Sequence, residues 1–334
     1  EVEIVNAKEF QRLRKVRQLG STYMVYPSAV HTRFEHSLGV LKVADEIIRN
    51  IKNNMHSSPE EKDITPEDEQ IIRLLALLHD IGHMPYGHTI EDEFGIFRSH
   101  DKHETRWEYF VGKYSTIGKI IIKHRGEGFH DLFFKLIKCE KQFHKYGIGD
   151  RAFMYDIVSN TVCADLLDYL SRDCFYTNLK LNYHPRFLNY FFIGKRDIEI
   201  NNKTYQEKRI AIRVYKKNNS KELRRDIISE LIQLLRNRYY LGERVYYHHT
   251  KIMTGTLLAG AVLRAKSTNL FEPLKHDNKE FNSLVNLNQD KPEDKILYNI
   301  HLMGDDELVH YLINLPTKSK TSEQIKKIKG AIKL

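Results

Sequence analysis

Cysteine, tryptophan and proline are scarce in this chain of 334 residues, which has three Cys, one Trp and eight Pro. Cys139, Cys163 and Cys174 are odd in number and form no CxxC pair. That excludes a disulfide framework and fits a reducing compartment. Cys163 and Cys174 fall in an apolar stretch and read as packing residues rather than nucleophiles. There is no run of about eighteen apolar residues, so no membrane-spanning helix is expected. The first residues carry no secretory leader pattern, and a cytoplasmic location is expected. No proline occurs between Pro185 and Pro273, which lets helices there run long. An internal repeat is also lacking.

Apolar residues make up 41% and charged residues 29%, enough for a sizeable core under a polar surface. Mean hydropathy is −0.52. Net charge is +9, which favours anionic partners such as nucleotides or nucleic acid.

Phe34, Leu38, Leu41, Ala44 and Ile48 recur at helical spacing. Residues 51–65 are polar and read as a loop. Thr65-Pro66-Glu67-Asp68 has the composition of a helix start, and Ile71, Leu74, Leu75 and Leu78 carry that helix to His79-Asp80. Gly82 and Pro85 end it. Further helices are expected over 104–123, 129–145 and 151–173. Near 196–215 the period falls to two on either side of Asn201-Asn202-Lys203, which predicts a β-hairpin. Helical spacing returns over 221–241 and 244–265. The Lys-rich tail, with Lys318, Lys320, Lys326, Lys327, Lys329 and Lys333, has a short helical pattern at 322–333. It reads as a solvated helix, with an anion-binding arm as the alternative. The fold class expected is mostly α with a small β-hairpin insertion.

The chemistry gathers in three segments. His79-Asp80 runs into Gly82-His83-Met84-Pro85-Tyr86-Gly87-His88, placing three His and one Asp within ten residues. Packing explains such a cluster poorly, and a polar surface loop is its bland alternative. His36, in Arg33-Phe34-Glu35-His36-Ser37-Leu38-Gly39, reads alone as a packed or surface histidine. Over Asp165 to Asp173, helical periodicity puts Asp165, Tyr169, Arg172 and Asp173 on one stripe, either a site or a salt-bridged solvent face. Two imidazoles and two carboxylates suit a divalent metal that activates water.

Together these segments resemble the HD-domain superfamily, and within it the deoxynucleotide triphosphohydrolases. The resemblance runs from Phe10-Gln11-Arg12-Leu13-Arg14 through Gln18-Leu19-Gly20 and His31-Thr32-Arg33-Phe34-Glu35-His36-Ser37-Leu38-Gly39-Val40. It continues at His79-Asp80-Ile81-Gly82-His83, at His103-Glu104, over Asp165 to Asp173, and at Arg244-Val245-Tyr246-Tyr247-His248.

The resemblance implies that His36, His79, Asp80 and Asp165 bind a divalent metal, for which Mn, Mg, Fe and Zn all suit. It implies that His83 and His103 act at the reacting phosphorus, as acid or phosphate stabiliser, with Glu91 orienting a histidine. Arg33, His88 and Arg238 are implied phosphate contacts. Gln18, Leu19, Tyr169, Asp173 and Tyr246 are implied to surround the sugar and base. The implied reaction converts a dNTP to deoxynucleoside and inorganic triphosphate by water attack at the α-phosphorus. The implied layout is a metal-binding core over 1–185, a hairpin and long helices completing the nucleotide pocket over 186–265, and a C-terminal lobe and tail over 266–334. A homo-oligomer, dimer or tetramer, is the implied assembly, with nucleic acid a further partner and no membrane.

The chain departs from the family pattern at named positions. Leu166 stands where a Lys often follows the metal Asp. Asn6 stands at an acidic, guanine-reading position of the regulatory site, although Gln11 and Arg14 match other regulatory positions. The alternative function is an HD nuclease or phosphodiesterase acting on single-stranded or cyclic nucleotides, for which the charge and many aromatics would serve as a stacking surface.

Overall fold

The computed structural model describes residues 1–54, 57–100, 104–139, 141–180, 184–216, 222–267, 300 and 303–314. The expected helix at 322–333, the Lys-rich tail and His103 lie outside the described residues. Among the described residues the architecture is mostly α with one two-stranded antiparallel sheet. The chain divides into two compact units, one of residues 1–35, 80–126 and 245–334, the other of residues 36–79 and 127–244.

In the second unit, helix Pro66–Leu78 starts as its sequence predicts. Thr65 Oγ1 accepts from the Asp68 amide at 3.1 Å, and Asp68 Oδ2 accepts from the Thr65 amide at 3.0 Å. Two amides at the helix start are thereby satisfied reciprocally, a cap worth about 1 kcal/mol. Ile71, Ile72, Leu74, Leu75, Leu77 and Leu78 are all buried, so this helix is enclosed on more than one face. It packs against helix Ala152–Val158, which also lies against the hairpin.

The hairpin pairs Phe191–Ile200 with Lys203–Ile212 in a register that closes at Ile200 and Lys203. Asn201 and Asn202 take φ of 51° and 59°. Both central residues are left-handed, the geometry whose twist matches the flanking strands and which Asn tolerates better than most side chains. Asp156, fully buried, holds the Arg209 guanidinium at 2.6 and 2.7 Å and ties the hairpin to the helix beneath it.

The helix expected over 151–173 is two helices, Ala152–Val158 and Ala164–Thr177. Asn160 turns back on Asp156 at 2.9 Å and also accepts from the Thr161 amide, so a local side-chain network replaces the helical ladder. Cys163 then caps the second helix, its Sγ accepting from the Leu166 amide at 3.5 Å. The expected helix over 129–145 is Glu127–Lys138 followed by the single turn Phe143–Tyr146.

In the first unit, the helix expected over 104–123 breaks into Glu104–Val111 and Thr116–Arg125. Ser115 caps the second, accepting from the Gly118 amide at 2.9 Å. A Cβ on Gly118 would stand 2.0 Å from the Gly112 carbonyl oxygen, so the turn needs this bare residue. Helix His249–Ser267 packs against residues 20–24 and 89–93. Leu258, Ala261 and Val262 share a core with Met84, Ile90 and, from helix Asp305–Ile313, Leu308 and Leu312. Among the described residues no helix is long and apolar enough to cross a membrane.

Candidate active site

Three helix ends set up the first cluster, which belongs to the second unit. Helix Arg33–Lys52 carries His36 in its first turn. Helix Pro66–Leu78 stops at Leu78, leaving His79 as its C-terminal cap. The interruption at 159–163 places Asp165 in the first turn of Ala164–Thr177, where the positive helix end favours a carboxylate.

These helix ends bring three ligand atoms together. His36 Nε2 lies 3.0 Å from Asp165 Oδ1 and 3.3 Å from His79 Nε2, and His79 Nε2 lies 3.7 Å from the same Asp165 oxygen. The other ring nitrogens are engaged. His79 Nδ1 donates to the Ala76 carbonyl at 2.8 Å, and His36 Nδ1 faces Asp168 Oδ2 at 2.8 Å. Burial would raise the Asp168 carboxyl, but His36 and Arg172 outweigh it and hold it below its ordinary range. It therefore accepts the His36 Nδ1 proton. With both Nδ1 atoms donating, two Nε2 lone pairs and a carboxylate oxygen face one another. Such a set needs a positive charge among them, and its donors fit a borderline divalent metal. The outer contacts fix both rings in the metal-binding tautomer.

Arg172, on the same helix as Asp165, Tyr169 and Asp173, binds a carboxylate one turn before it. Its Nε and Nη2 each lie 2.8 Å from the Asp168 carboxylate. Gly39 makes room for this pair, since a Cβ there would stand 1.9 Å from Asp168 Oδ1. Tyr169 is half-buried and Asp173 buried. Burial raises the Tyr169 phenol, and the exposed Arg238 nearby partly offsets that.

Asp80, the next residue after His79, belongs by its side chain to a second cluster, in the first unit. Arg33 Nη1 donates to Asp80 Oδ2 at 2.5 Å, and His83 Nε2 lies 3.3 Å from Asp80 Oδ1. His83 Nδ1 faces Glu91 Oε2 at 2.9 Å, and Arg106 holds Glu91 Oε1 at 2.5 Å. Burial would raise the Glu91 carboxyl, yet His83 and Arg106 hold it well below its usual range. Glu91 thus orients His83, and Arg106 keeps Glu91 charged. Tyr86 and Gly87 adopt φ of 59° and 36°, and a Cβ on Gly87 would stand 2.6 Å from Arg33 Nη2. The bare backbone lets the guanidinium through.

Sequence reasoning missed Asp168, His100 and Arg106. Asp168 was signalled by its i, i+4 spacing to Arg172. His100 lies 3.8 Å from Asp80 Oδ1, with its ring centroid 3.5 Å from that of His83, and no motif announces it. Burial, with His83 alongside, lowers its pKa.

The remaining expected residues take separate places. His88 is exposed, pairs with Asp92 at 2.5 Å and meets the His83 ring edge-on at 4.7 Å. The Gln18 backbone N–H donates to the His31 carbonyl at 3.0 Å, and Leu19 is buried beside it in sequence. Tyr246 is half-buried. Gln11 and Arg14 bond to each other at 2.9 Å.

Residues 33–173 match the model of the HD domain family. That stretch is similar to an HD domain. The match begins at Arg33, ends at Asp173 and contains His36, His79, Asp80 and Asp165. The chain is 30% identical to the deoxynucleoside triphosphate triphosphohydrolase SAMHD1 of Gallus gallus over 207 residues, 55% of this chain and 33% of that protein. It is 34% identical to the SAMHD1 homolog of Dictyostelium discoideum over 181 residues, 52% of this chain and 33% of that protein. An uncharacterized protein of Methanocaldococcus jannaschii is 32% identical over 267 residues, 79% of this chain and 46% of its own length. The chain therefore spans between a third and a half of the length of these relatives.

Proposed function

We propose that this protein hydrolyses deoxynucleoside triphosphates to deoxynucleoside and inorganic triphosphate, through attack of water on the α-phosphorus. One observation carries the reading: His36 Nε2, His79 Nε2 and Asp165 Oδ1 converge while both Nδ1 atoms are committed elsewhere. The substrate class is supported by the relatives' names, two of which are dNTP triphosphohydrolases.

A divalent cation held by His36, His79, Asp165 and the adjoining Asp80 would supply an activated water and polarise a phosphoryl oxygen. The other roles fall to side chains. Arg33 offers a planar fork to a phosphate. His83, held by Glu91 and buried, donates to the phosphates, and His103 serves as the acid for the departing 5′-oxygen. His88 and Arg238 add contacts to the phosphate chain. Gln18, Leu19, Tyr169, Asp173 and Tyr246 surround the sugar and base. The two tyrosines wall the 2′ side, where an apolar wall discriminates against a hydroxyl by only about 10²-fold. The protein acts inside the cell, where its substrates are made, as a homo-oligomer.

Incubation with each dNTP, each NTP and single-stranded DNA, with Mn or Mg, tests this. Deoxynucleoside and triphosphate are the expected products. Mononucleotides released from single-stranded DNA while every dNTP stays intact would overturn the reading in favour of a strand-cleaving enzyme.

A further inference from the structure

The Gln18-Leu19 segment and the His83–His88 turn are held by one buried carboxylate far away in sequence. Asp305 opens helix Asp305–Ile313, and its side chain is fully buried. Asp305 Oδ1 accepts from the Tyr86 amide at 2.7 Å, and Oδ2 accepts from the Arg17 amide at 3.0 Å. Arg17 Nη1 lies 3.7 Å from that second oxygen. Each oxygen thus serves a different segment, and one planar group sets the distance between them.

The neighbouring residues reinforce this attachment. The Arg17 guanidinium clamps the Asp306 carboxylate at 3.0 and 3.1 Å, and Lys15 pairs with Glu307. Gly304 lets the chain approach, because a Cβ there would stand 2.3 Å from Lys15 Cβ and 2.6 Å from the Lys15 carbonyl oxygen. Leu308 and Leu312 anchor the helix in the core that contains Met84 and Tyr86. On the other side, Tyr86 and Gly87 are both left-handed. A non-glycine residue persists there only where its surroundings enforce it. The Asp305 bond to the Tyr86 amide is such an enforcement, and Gly87 is where Arg33 passes.

We infer that Asp305 is a positioning residue. By bridging the Arg17 and Tyr86 amides, it fixes the spacing between the Gln18-Leu19 segment and the turn that carries His83 and His88, and so sets substrate affinity. This rests on the reading of those two segments as nucleotide-holding.

The test is steady-state kinetics of Asp305→Asn with the best of the four dNTPs, alongside the metal content of each protein. The amide keeps the size of the side chain but presents a donor to one of the two N–H groups. KM should rise about tenfold or more with kcat changed by less than about threefold, since misplaced binding groups act on substrate capture. Bound metal per chain should not change. Asp306→Asn, which removes an exposed partner, should leave KM as it is. A wild-type KM in Asp305→Asn, or an equal rise in Asp306→Asn, would overturn the inference. Should Asp305→Asn not fold, amide exchange of the wild-type protein decides. The Arg17 and Tyr86 amides should be as protected as the amides of helix Asp305–Ile313, and free exchange of either one contradicts the bridge. If the wild-type protein turns over no dNTP, the proposed function has failed, and exchange alone judges the bridge.

Discussion

Asp168 Oδ2 stands 2.8 Å from His36 Nδ1, and Arg172 holds both oxygens of the same carboxylate. This contact fixes which nitrogen of His36 faces His79 and Asp165. Asp168→Ala should therefore weaken divalent metal binding by about 10- to 100-fold, the usual effect of removing a carboxylate behind a metal-binding imidazole. Calorimetric titration of Mn into the metal-free protein measures it. Unchanged affinity would show that the carboxylate does not orient the ring.

Gly39→Ala tests the same contact from the opposite side. Its Cβ would fall 1.9 Å from Asp168 Oδ1 and 2.3 Å from Arg172 Nη2, so the pair must move. Overpacking of this kind costs about 1–3 kcal/mol. The variant should show a lower denaturant midpoint together with weaker metal binding. Loss of stability with full metal affinity would separate Gly39 from the site.

Glu91→Gln should destabilise the protein by about 3–5 kcal/mol, because it leaves the Arg106 guanidinium buried without its counter-charge. Arg106 and Glu91 are both fully enclosed, 2.5 Å apart. Urea unfolding measures the loss, and a change below about 1 kcal/mol, the scale of an exposed pair, would contradict the pairing.

Much of this was legible in the chain. The cap at Thr65, the turn at Asn201-Asn202 and the stripes along the helices are local, and their residues carry the signal. His36, His79 and Asp165, which the fold brings together, stood out because they sit in distinctive phrases. What was not legible depends on contacts between distant segments. Periodicity continues across 159–163, so the break that frees Asp165 to open a helix came from Asn160 and Cys163 bonding locally. The bond from Arg172 to Asp168 was less legible, because spacing alone cannot tell which carboxylate a guanidinium meets. His100 and Asp305 depend on loop placement, and no local pattern marks either.

The stability of the protein should carry a pH signature from Asp305. Burial pushes its carboxyl up to about 6, against an ordinary value near 4 in the unfolded chain. Between those values the folded protein holds more protons than the unfolded chain. Stability from this group is therefore fully present below about pH 4 and lost as pH rises through about 6, amounting to about 3 kcal/mol. Asn cannot titrate, so the unfolding free energy of wild type minus that of Asp305→Asn should fall over this window. Urea titrations from pH 4 to 7 measure it. A flat or rising difference would contradict the raised value.

The central claim is attack of water at the α-phosphorus with departure of the 5′-oxygen. Hydrolysis of a dNTP in ¹⁸O-labelled water, followed by mass spectrometry of both products, tests it most directly. The account predicts one ¹⁸O atom in the inorganic triphosphate and none in the deoxynucleoside. Label in the deoxynucleoside, or release of a deoxynucleoside mono- or diphosphate in its place, would contradict it.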